Sequence, residues 1–405
     1  MSGMVKEKNV YLWHNTLCST YLIDLKKMEN IFRLNGWKVS KDPQDADLVV
    51  LGSCGSFMNV IEDFERKYEE VCEMKKRVAI YGCLPLIAPE KFRPNGVMAK
   101  FDFFIPATNP EMVEKIFDEL TVKWNDLKEP GEFRLEDYRN YRPERKFVVV
   151  QKGCSATCTF CPHKVGIGPH VSREKNGIID EIRGYIRNGA KIIFIEGRDT
   201  GSWGTDLAPK QNFGDLLNAI LSLDGDFEVH INQLGGNWLV AHGDELVTRL
   251  KSEKITNVHI PIQTVSPRLL RLMGRDERIA EMEPYLMDLK KSSRKMLLRT
   301  DIIIGFPTET MDELKATLEF VSKLFDEVAC HGFELHPNTE IARQTVEFFD
   351  RAEIDERIQY ALDYFAENYR GVIHRGGQDS ASLVAREHKI KEICLSMQGK
   401  AEKSQ

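Results

Sequence analysis

Short apolar runs recur along the chain, each followed by a longer charged stretch whose apolar positions return at helical spacing. Val10 to Trp13, Asp47 to Leu51, Arg77 to Tyr81 and Phe101 to Ile105 read as strands, with helical patterns from Thr20 to Leu34 and from about Met58 to Lys75. This alternation predicts an open parallel sheet with helices on both faces over residues 1–122. Residues 123–145 are polar and hold Pro130-Gly131 and Tyr141-Arg142-Pro143, the composition of a linker. Alternation resumes over 146–375. Strands are expected at Phe147–Val150, Lys191–Glu196, Phe227–Ile231, Asn257–Ile260, Leu297–Ile304 and Gly332–Leu335, with helices at about Gly177–Asn188 and Ile354–Tyr369. Repeated βα units of this kind predict a partial (β/α) barrel. Residues 376–405 read as a short helical tail, with its helix over Ala381–Met397 and frayed ends from Gly399 to Gln405. The fold class is therefore α/β throughout.

Composition adds bounds rather than a function. The 405 residues carry 56 basic and 62 acidic side chains, a formal charge of −6, so there is no global attraction to nucleic acid or anionic lipid. No run approaches a membrane span, and Met1 to Lys8 lacks the apolar core of a signal peptide. A cytoplasmic enzyme is expected, and nine cysteines in such a chain point to metal or redox chemistry rather than disulfides.

Three of those cysteines, Cys154, Cys158 and Cys161, stand at C-x3-C-x2-C spacing in the loop after the strand Phe147–Val150. Thiolates crowded this way suit a soft metal or an iron–sulfur cluster. Three ligands leave one iron of a four-iron cube open to a substrate. The loop alone also admits a Cys3His zinc site completed by His163; a disulfide leaves one thiol over. Three more cysteines, Cys18, Cys54 and Cys83, each follow one of the first three strands, where an open α/β sheet binds ligands. They read either as three thiolates meeting at one sheet edge or as small buried hydrophobes. Cys72, Cys330 and Cys394 have no partners in sequence and read as structural.

Taken together, these segments resemble the radical S-adenosylmethionine (SAM) methylthiotransferases, which attach –SCH3 to unactivated carbons. The likeness runs from about Val10 to about Thr345. It rests on the two cysteine sets, on Phe160 before the third loop cysteine, and on Val171-Ser172-Arg173-Glu174. Further matching segments are Ile195 to Gly204, His259 to Met273, and Leu298 to Thr310. Within the family the chain looks closer to the branch that modifies a ribosomal-protein aspartate. The resemblance implies two [4Fe–4S] clusters, one held by Cys154, Cys158 and Cys161 and an auxiliary one held by Cys18, Cys54 and Cys83. It implies that one SAM methylates a sulfur at the auxiliary cluster. A second SAM, cleaved at the other cluster, yields the 5′-deoxyadenosyl radical that abstracts the substrate hydrogen. It also implies a low-potential electron donor of flavodoxin or ferredoxin type. The SAM contacts it implies are the Phe160 backbone near the adenine and Glu196, Gly197 and Asp199 at the methionyl amine. Gln263 and Arg299 would meet its polar groups, and Gly305 would allow close backbone approach. For Arg299 a structural ion pair is the competing reading, and for Gln263 a core hydrogen bond.

Departures from the family bear on the substrate. Arg198 replaces the usual Gln, and Pro162 to His170 lacks the family's arginine-rich run. The family's C-terminal RNA-binding barrel, the TRAM domain, has no room after Gly376. With the charge, this argues against tRNA and for a peptide, protein or small-molecule substrate. His163 and His170 are expected to face solvent. Alternatives stay open: sulfur insertion or another C–S bond formation without methyl transfer, an iron–sulfur carrier or sensor that makes no product, and, as a lesser one, a cobalamin-binding N-terminal domain, whose expected histidine motif is not seen.

Overall fold

In the computed structural model the described residues are 8–15, 18–127, 144–292 and 296–375. They fall into two compact units. One lies within Met1–Glu136 and includes Cys161–Pro169 and His336–Thr339; the other takes Asp137–Phe160, His170–Leu335 and Glu340–Gln405.

The first unit is built from β1 (Asn9–His14), α1 (Ser19–Leu34), β2 (Lys38–Val39), β3 (Leu48–Ser53), α2 (Met58–Glu73), β4 (Arg77–Gly82), the short α3 (Leu84–Ile87) and β5 (Phe103–Pro106). Its five strands are ordered β2-β1-β3-β4-β5 and every pairing is parallel. Strand β3 is buried at all six positions, as a central strand covered on both faces must be. Helix α2 buries Ile61, Phe64, Tyr68 and Val71, a 3–4–3 spacing that lays one apolar stripe on the sheet. Tyr81 on β4 is fully buried and donates its hydroxyl to the buried Asp24 at 2.9 Å. Burial, then the Asp24 carboxylate, push that phenol well above its ordinary range.

The second unit opens with β6 (Arg145–Val149) and a two-stranded antiparallel pair, β7 (Gln151–Lys152) and β8 (Val171–Ser172). The chain between them carries the short α4 (His163–Gly166), which belongs to the first unit. There follow α5 (Lys175–Arg187), β9 (Ile192–Glu196), α6 (Phe213–Leu221), β10 (Glu228–Ile231), α7 (Gly236–Leu250), β11 (Ile255–His259), α8 (Pro267–Leu272) and α9 (Glu283–Ser292). The last elements are β12 (Leu297–Ile304), α10 (Met311–Leu324), β13 (Glu327–Gly332), α11 (Arg351–Asn368) and β14 (Val372–Arg375). Among the described residues seven parallel strands run β14-β13-β12-β11-β10-β9-β6, with β14 and β6 at the two ends. One face, carrying Val148, Ile193, Ile195, Val229, Ile231, Val258, Ile302 and Val328, packs against the helices in one apolar core.

The opposite face is polar. Phe147 and Phe194 stack with ring centroids 4.7 Å apart, and His230 meets Phe194 edge-on at 4.6 Å. Farther along, His259 and His331 both approach Asp301, at 3.1 and 3.8 Å, and Glu327 pairs with Arg299 at 3.0 Å and His374 at 3.1 Å. Burial raises the Asp301 carboxyl, but the two histidines outweigh it and hold the group well below its usual range. Buried charges persist here because each has an opposite partner on the adjacent strand.

Two expectations change. The strand placed at Gly332–Leu335 lies upstream at Glu327–Gly332, where one polar face breaks up the apolar run, and β14 had no signal long enough to be read. The expected linker is structured at both described ends: Trp124 is buried with its amide on Glu114 at 2.6 Å, and Arg145 opens β6. The rest of the linker, 128–143, and the tail helix lie outside the described residues, as does Cys394. Among the described residues no helix is long and apolar enough to cross a membrane.

Gly82 closes β4 with φ +132°, and a Cβ there would lie 2.1 Å from the Ser53 carbonyl oxygen. Gly82→Ala should therefore destabilise the protein by at least about 2 kcal/mol. A denaturant melt with an unchanged midpoint would show that this sheet edge yields.

Candidate active site

The first unit brings its cysteines to the ends of three neighbouring strands. Cys18 follows β1 and stands at the start of α1, its carbonyl accepting from the amides of Tyr21 and Leu22 at 3.1 Å. Cys54 directly follows β3, and Cys83 directly follows β4 at the start of α3. Because β1, β3 and β4 are adjacent and parallel, all three cysteines lie at one edge of the sheet. Cys54 and Cys83 are buried and Cys18 half-buried. The Gly55 amide donates to Cys83 Sγ at 3.4 Å. The neighbouring Cys54 thiol, followed by burial, pushes Cys83 well above the ordinary thiol range. Two thiols buried together resist ionisation until a cation compensates them, the setting a metal cluster supplies.

His163 does not face solvent as expected. Its Nε2 lies 2.5 Å from Ser56 Oγ and its Nδ1 3.7 Å from Cys161 Sγ, while Ser56 Oγ is 3.1 Å from Cys54 Sγ. His336, from the short return segment, also bonds to the Ser56 backbone, and burial lowers its pKa. His170, in the second unit, is only 7% exposed; it meets Asp206 at 3.0 Å, Ser172 Oγ at 3.1 Å and Ser202 Oγ at 3.2 Å. Both histidines were misplaced because loop position alone says nothing about the hydroxyls and carboxylates that fold back onto them.

In the second unit Cys154 and Cys158 lie in the loop after β7, half-buried. The loop is fastened to the end of α8: the Thr159 amide donates to the Met273 carbonyl at 2.9 Å, Thr159 Oγ1 to Leu272 at 2.8 Å and Thr157 Oγ1 to Gly274 at 3.2 Å. The Ala156 amide points at Cys154 Sγ at 3.4 Å, and Arg275 Nη1 at Cys158 Sγ at 3.6 Å. N–H donors of this kind suit cluster thiolates. Arg275 gave no signal in sequence. Among the described residues no three His, Cys, Asp or Glu side chains already close on a single ion; a cube takes one thiolate per iron, so separated thiols fit it.

Of the expected SAM residues, Glu196 ends β9 and Gly305 follows β12, while Arg299 lies within β12 and Phe160 in the cysteine loop. Phe160 meets Phe306 with ring centroids 6.0 Å apart. Glu196 ends β9 and accepts from Asn232 Nδ2 at 2.6 Å. Asp199 is buried, and both its oxygens accept from Trp238 Nε1, at 2.8 and 3.0 Å; burial raises its pKa despite those bonds. Arg299 is paired with Glu327 at 3.0 Å, the structural ion pair that was its second reading. Gln263 has φ +70° and is held by backbone bonds to Asp301 and Ile303, a strained conformation of the kind that persists at functional sites. Gly305, at φ +74°, is needed in part because a Cβ would lie 2.8 Å from Ile354 Cγ1 on α11. Its amide donates to Glu309 at 2.9 Å. The motif around Arg173 is scaffold: its guanidinium donates to the Val149 carbonyl and to Glu181, both at 2.7 Å, and its carbonyl accepts from Trp203 Nε1. A cavity of 510 Å³ beside the cysteine loop is lined by Thr157, Thr159, Arg268 and Arg271 among others. A larger groove along α9 holds none of the candidate residues.

Residues 148–321 match the model of the radical SAM superfamily. The chain is a radical SAM protein related to the methylthiotransferases. It is 26% identical over 334 residues to a probable threonylcarbamoyladenosine tRNA methylthiotransferase of Pyrococcus abyssi, covering 80% of this chain and 77% of that one. It is 30% identical over 300 residues to the ribosomal protein uS12 methylthiotransferase RimO of Fervidobacterium nodosum, covering 71% and 66%. Both branches of the family are thus among its relatives. The solved radical SAM methyltransferase TsrM of Kitasatospora setae, with cobalamin and a [4Fe–4S] cluster bound, aligns with a TM-score of 0.59 at 12% identity. That alignment covers 83% of this chain and 77% of that one, and shows the shared fold.

The radical SAM unit also carries a titrating group. Burial pushes the Glu309 carboxyl from its usual 4.5 to about 7, against the Gly305 amide and Arg357. Between those values the folded state holds a proton that the unfolded state has lost. Glu309's contribution is thus fully present below about pH 4.5 and falls as pH rises to about 7, by on the order of 3 kcal/mol. Glu309→Gln should flatten this part of the pH–stability profile, measured by urea melts between pH 4.5 and 8.

Proposed function

We propose that this radical SAM enzyme is a methylthiotransferase that carries two [4Fe–4S] clusters and acts on a peptide, protein or small molecule rather than RNA. The observation that supports it most is the placement of Cys18, Cys54 and Cys83 at the ends of three adjacent parallel strands, in a chain that also carries the radical SAM cysteine loop. An electron carrier would not call for this second set beside a SAM-binding domain. Cys154, Cys158 and Cys161 would hold one cluster and Cys18, Cys54 and Cys83 the other. When bound, the clusters and SAM supply the electron, the hydrogen abstraction, the methyl group and the sulfur.

The chain's own side chains position and insulate rather than shuttle protons. The Thr157–Thr159 bonds fix the loop carrying Cys154 and Cys158, and Arg275 sets a positive charge at Cys158 Sγ, which favours the thiolate form a metal requires. Gly55 offers its amide to Cys83 in the same way. Glu196 presents a carboxylate at its strand end to a cationic amine. A net charge of −6 and a single lysine between Pro162 and His170 favour a substrate without a phosphate backbone.

Two measurements test this. After anaerobic reconstitution the wild type should bind about eight irons, falling to about four in a Cys18/Cys54/Cys83→Ala variant. With substrate present, S-adenosylhomocysteine and 5′-deoxyadenosine should both accumulate. A wild type that holds only about four irons, unchanged in the variant, would sink the two-cluster reading.

A further inference from the structure

Gln151 is 1% exposed, and neither its amide nitrogen nor its amide oxygen has a hydrogen-bond partner. A buried amide left open at both ends destabilises the fold unless a ligand or water meets it, and its surroundings favour a ligand. Gln151 stands two residues beyond β6, and a Cβ on Gly197 would lie 3.0 Å from its Nε2 and 3.1 Å from its Cγ. Gly197 directly follows Glu196 at the end of β9. Asn232 follows β10, and since Ile195 pairs with Ile231 it lies beside Glu196. Asn232 uses its Nδ2 on Glu196, and its buried Oδ1 has no partner. Three consecutive strands of the sheet, β6, β9 and β10, thus end in one group of polar side chains, of which Gln151 and Asn232 have unused capacity.

We propose that Gln151, with Asn232, binds the amino-acid end of SAM and sets the affinity for this cosubstrate; this rests on the radical SAM reading above. The chemistry of the group selects that ligand class. The carboxylate of Glu196 and the amide oxygens of Asn232 and Gln151 are acceptors for an ammonium, and Gln151 Nε2 is a donor for a carboxylate. A phosphate would meet one donor and the repulsion of Glu196, and an apolar ligand would leave every amide atom unsatisfied. Asp199, the neighbour expected at the amine, already has both oxygens on Trp238. Gln151 and Asn232 are positioning and affinity residues, not catalytic ones.

The test uses the full reconstituted chain, anaerobic, as wild type, Gln151→Met and Gln151→Glu. SAM affinity is measured by equilibrium dialysis, with iron content, the melting temperature without SAM, and the electron paramagnetic resonance of the reduced cluster with and without SAM. Gln151→Met should weaken SAM binding about tenfold. It should keep its iron and melt no lower than wild type, since an apolar chain of similar size replaces an unsatisfied amide. Gln151→Glu should lose more, by repelling the carboxylate, and should blunt the SAM-induced spectral change. Unchanged affinity in both variants overturns the proposal. So does a Gln151→Met protein that melts lower and loses iron, because the amide would then be structural. A wild type that binds no SAM at all would instead remove the radical SAM reading beneath it.

Discussion

Every strand pairing in the two main sheets is parallel, so each strand delivers its carboxyl end to the same edge and the chain must leave the sheet there. That constraint gathers the chemistry. Cys18, Cys54 and Cys83 are far apart in sequence yet occupy the ends of adjacent strands. In the second unit Glu196 ends β9, Asn232 directly follows β10 and Gly305 directly follows β12, all at the carboxyl edge of one sheet. A short antiparallel hairpin could place two such groups together, but not a series of them. The cost is burial of groups that prefer water. Cys54 and Cys83 illustrate it: side by side and buried, they push the Cys83 thiol well above its ordinary range.

The polar face of the seven-stranded sheet follows from the same architecture. One face packs its apolar side chains against helices, and the other carries the sheet's charged pairs. Acidic side chains survive there in lateral pairs, Asp301 with His259 and His331 on one level, Glu327 with Arg299 and His374 on another. Since each pair spans neighbouring strands, a one-residue slip would turn its members to opposite faces. The pairs therefore oppose misregister even where they add little net stability.

Most strands were legible because their apolar faces meet the helices, and a run such as Leu48–Leu51 or Leu297–Ile304 has few other fates. Strand β13 was displaced in the reading because Glu327, Ala329 and His331 occupy the polar face and leave only Val328 and Cys330 as signal. The loop of Cys154, Cys158 and Cys161 was legible from spacing alone; the other cysteines became so only once each was seen to follow a strand. Side-chain partners were not legible. Nothing in the sequence says that His170 folds onto Asp206, that Ser56 stands between Cys54 and His163, or that Arg275 reaches Cys158. Those contacts depend on loops that return from distant segments.

The same limit explains which polar residues belong to a ligand. Sequence resemblance marks positions, among them Asp199 and Arg299, yet Asp199 is hydrogen-bonded to Trp238 and Arg299 ion-paired with Glu327 within the fold. Such residues shape the site by fixing neighbouring strands and helices. A ligand needs groups whose hydrogen-bonding capacity the protein leaves open, and a folded chain tolerates few of these because each is destabilising until it is met. Gln151, beside a glycine that lets its amide approach the end of β9, is such a group. Its neighbour Asn232 is another, already oriented by its bond to Glu196.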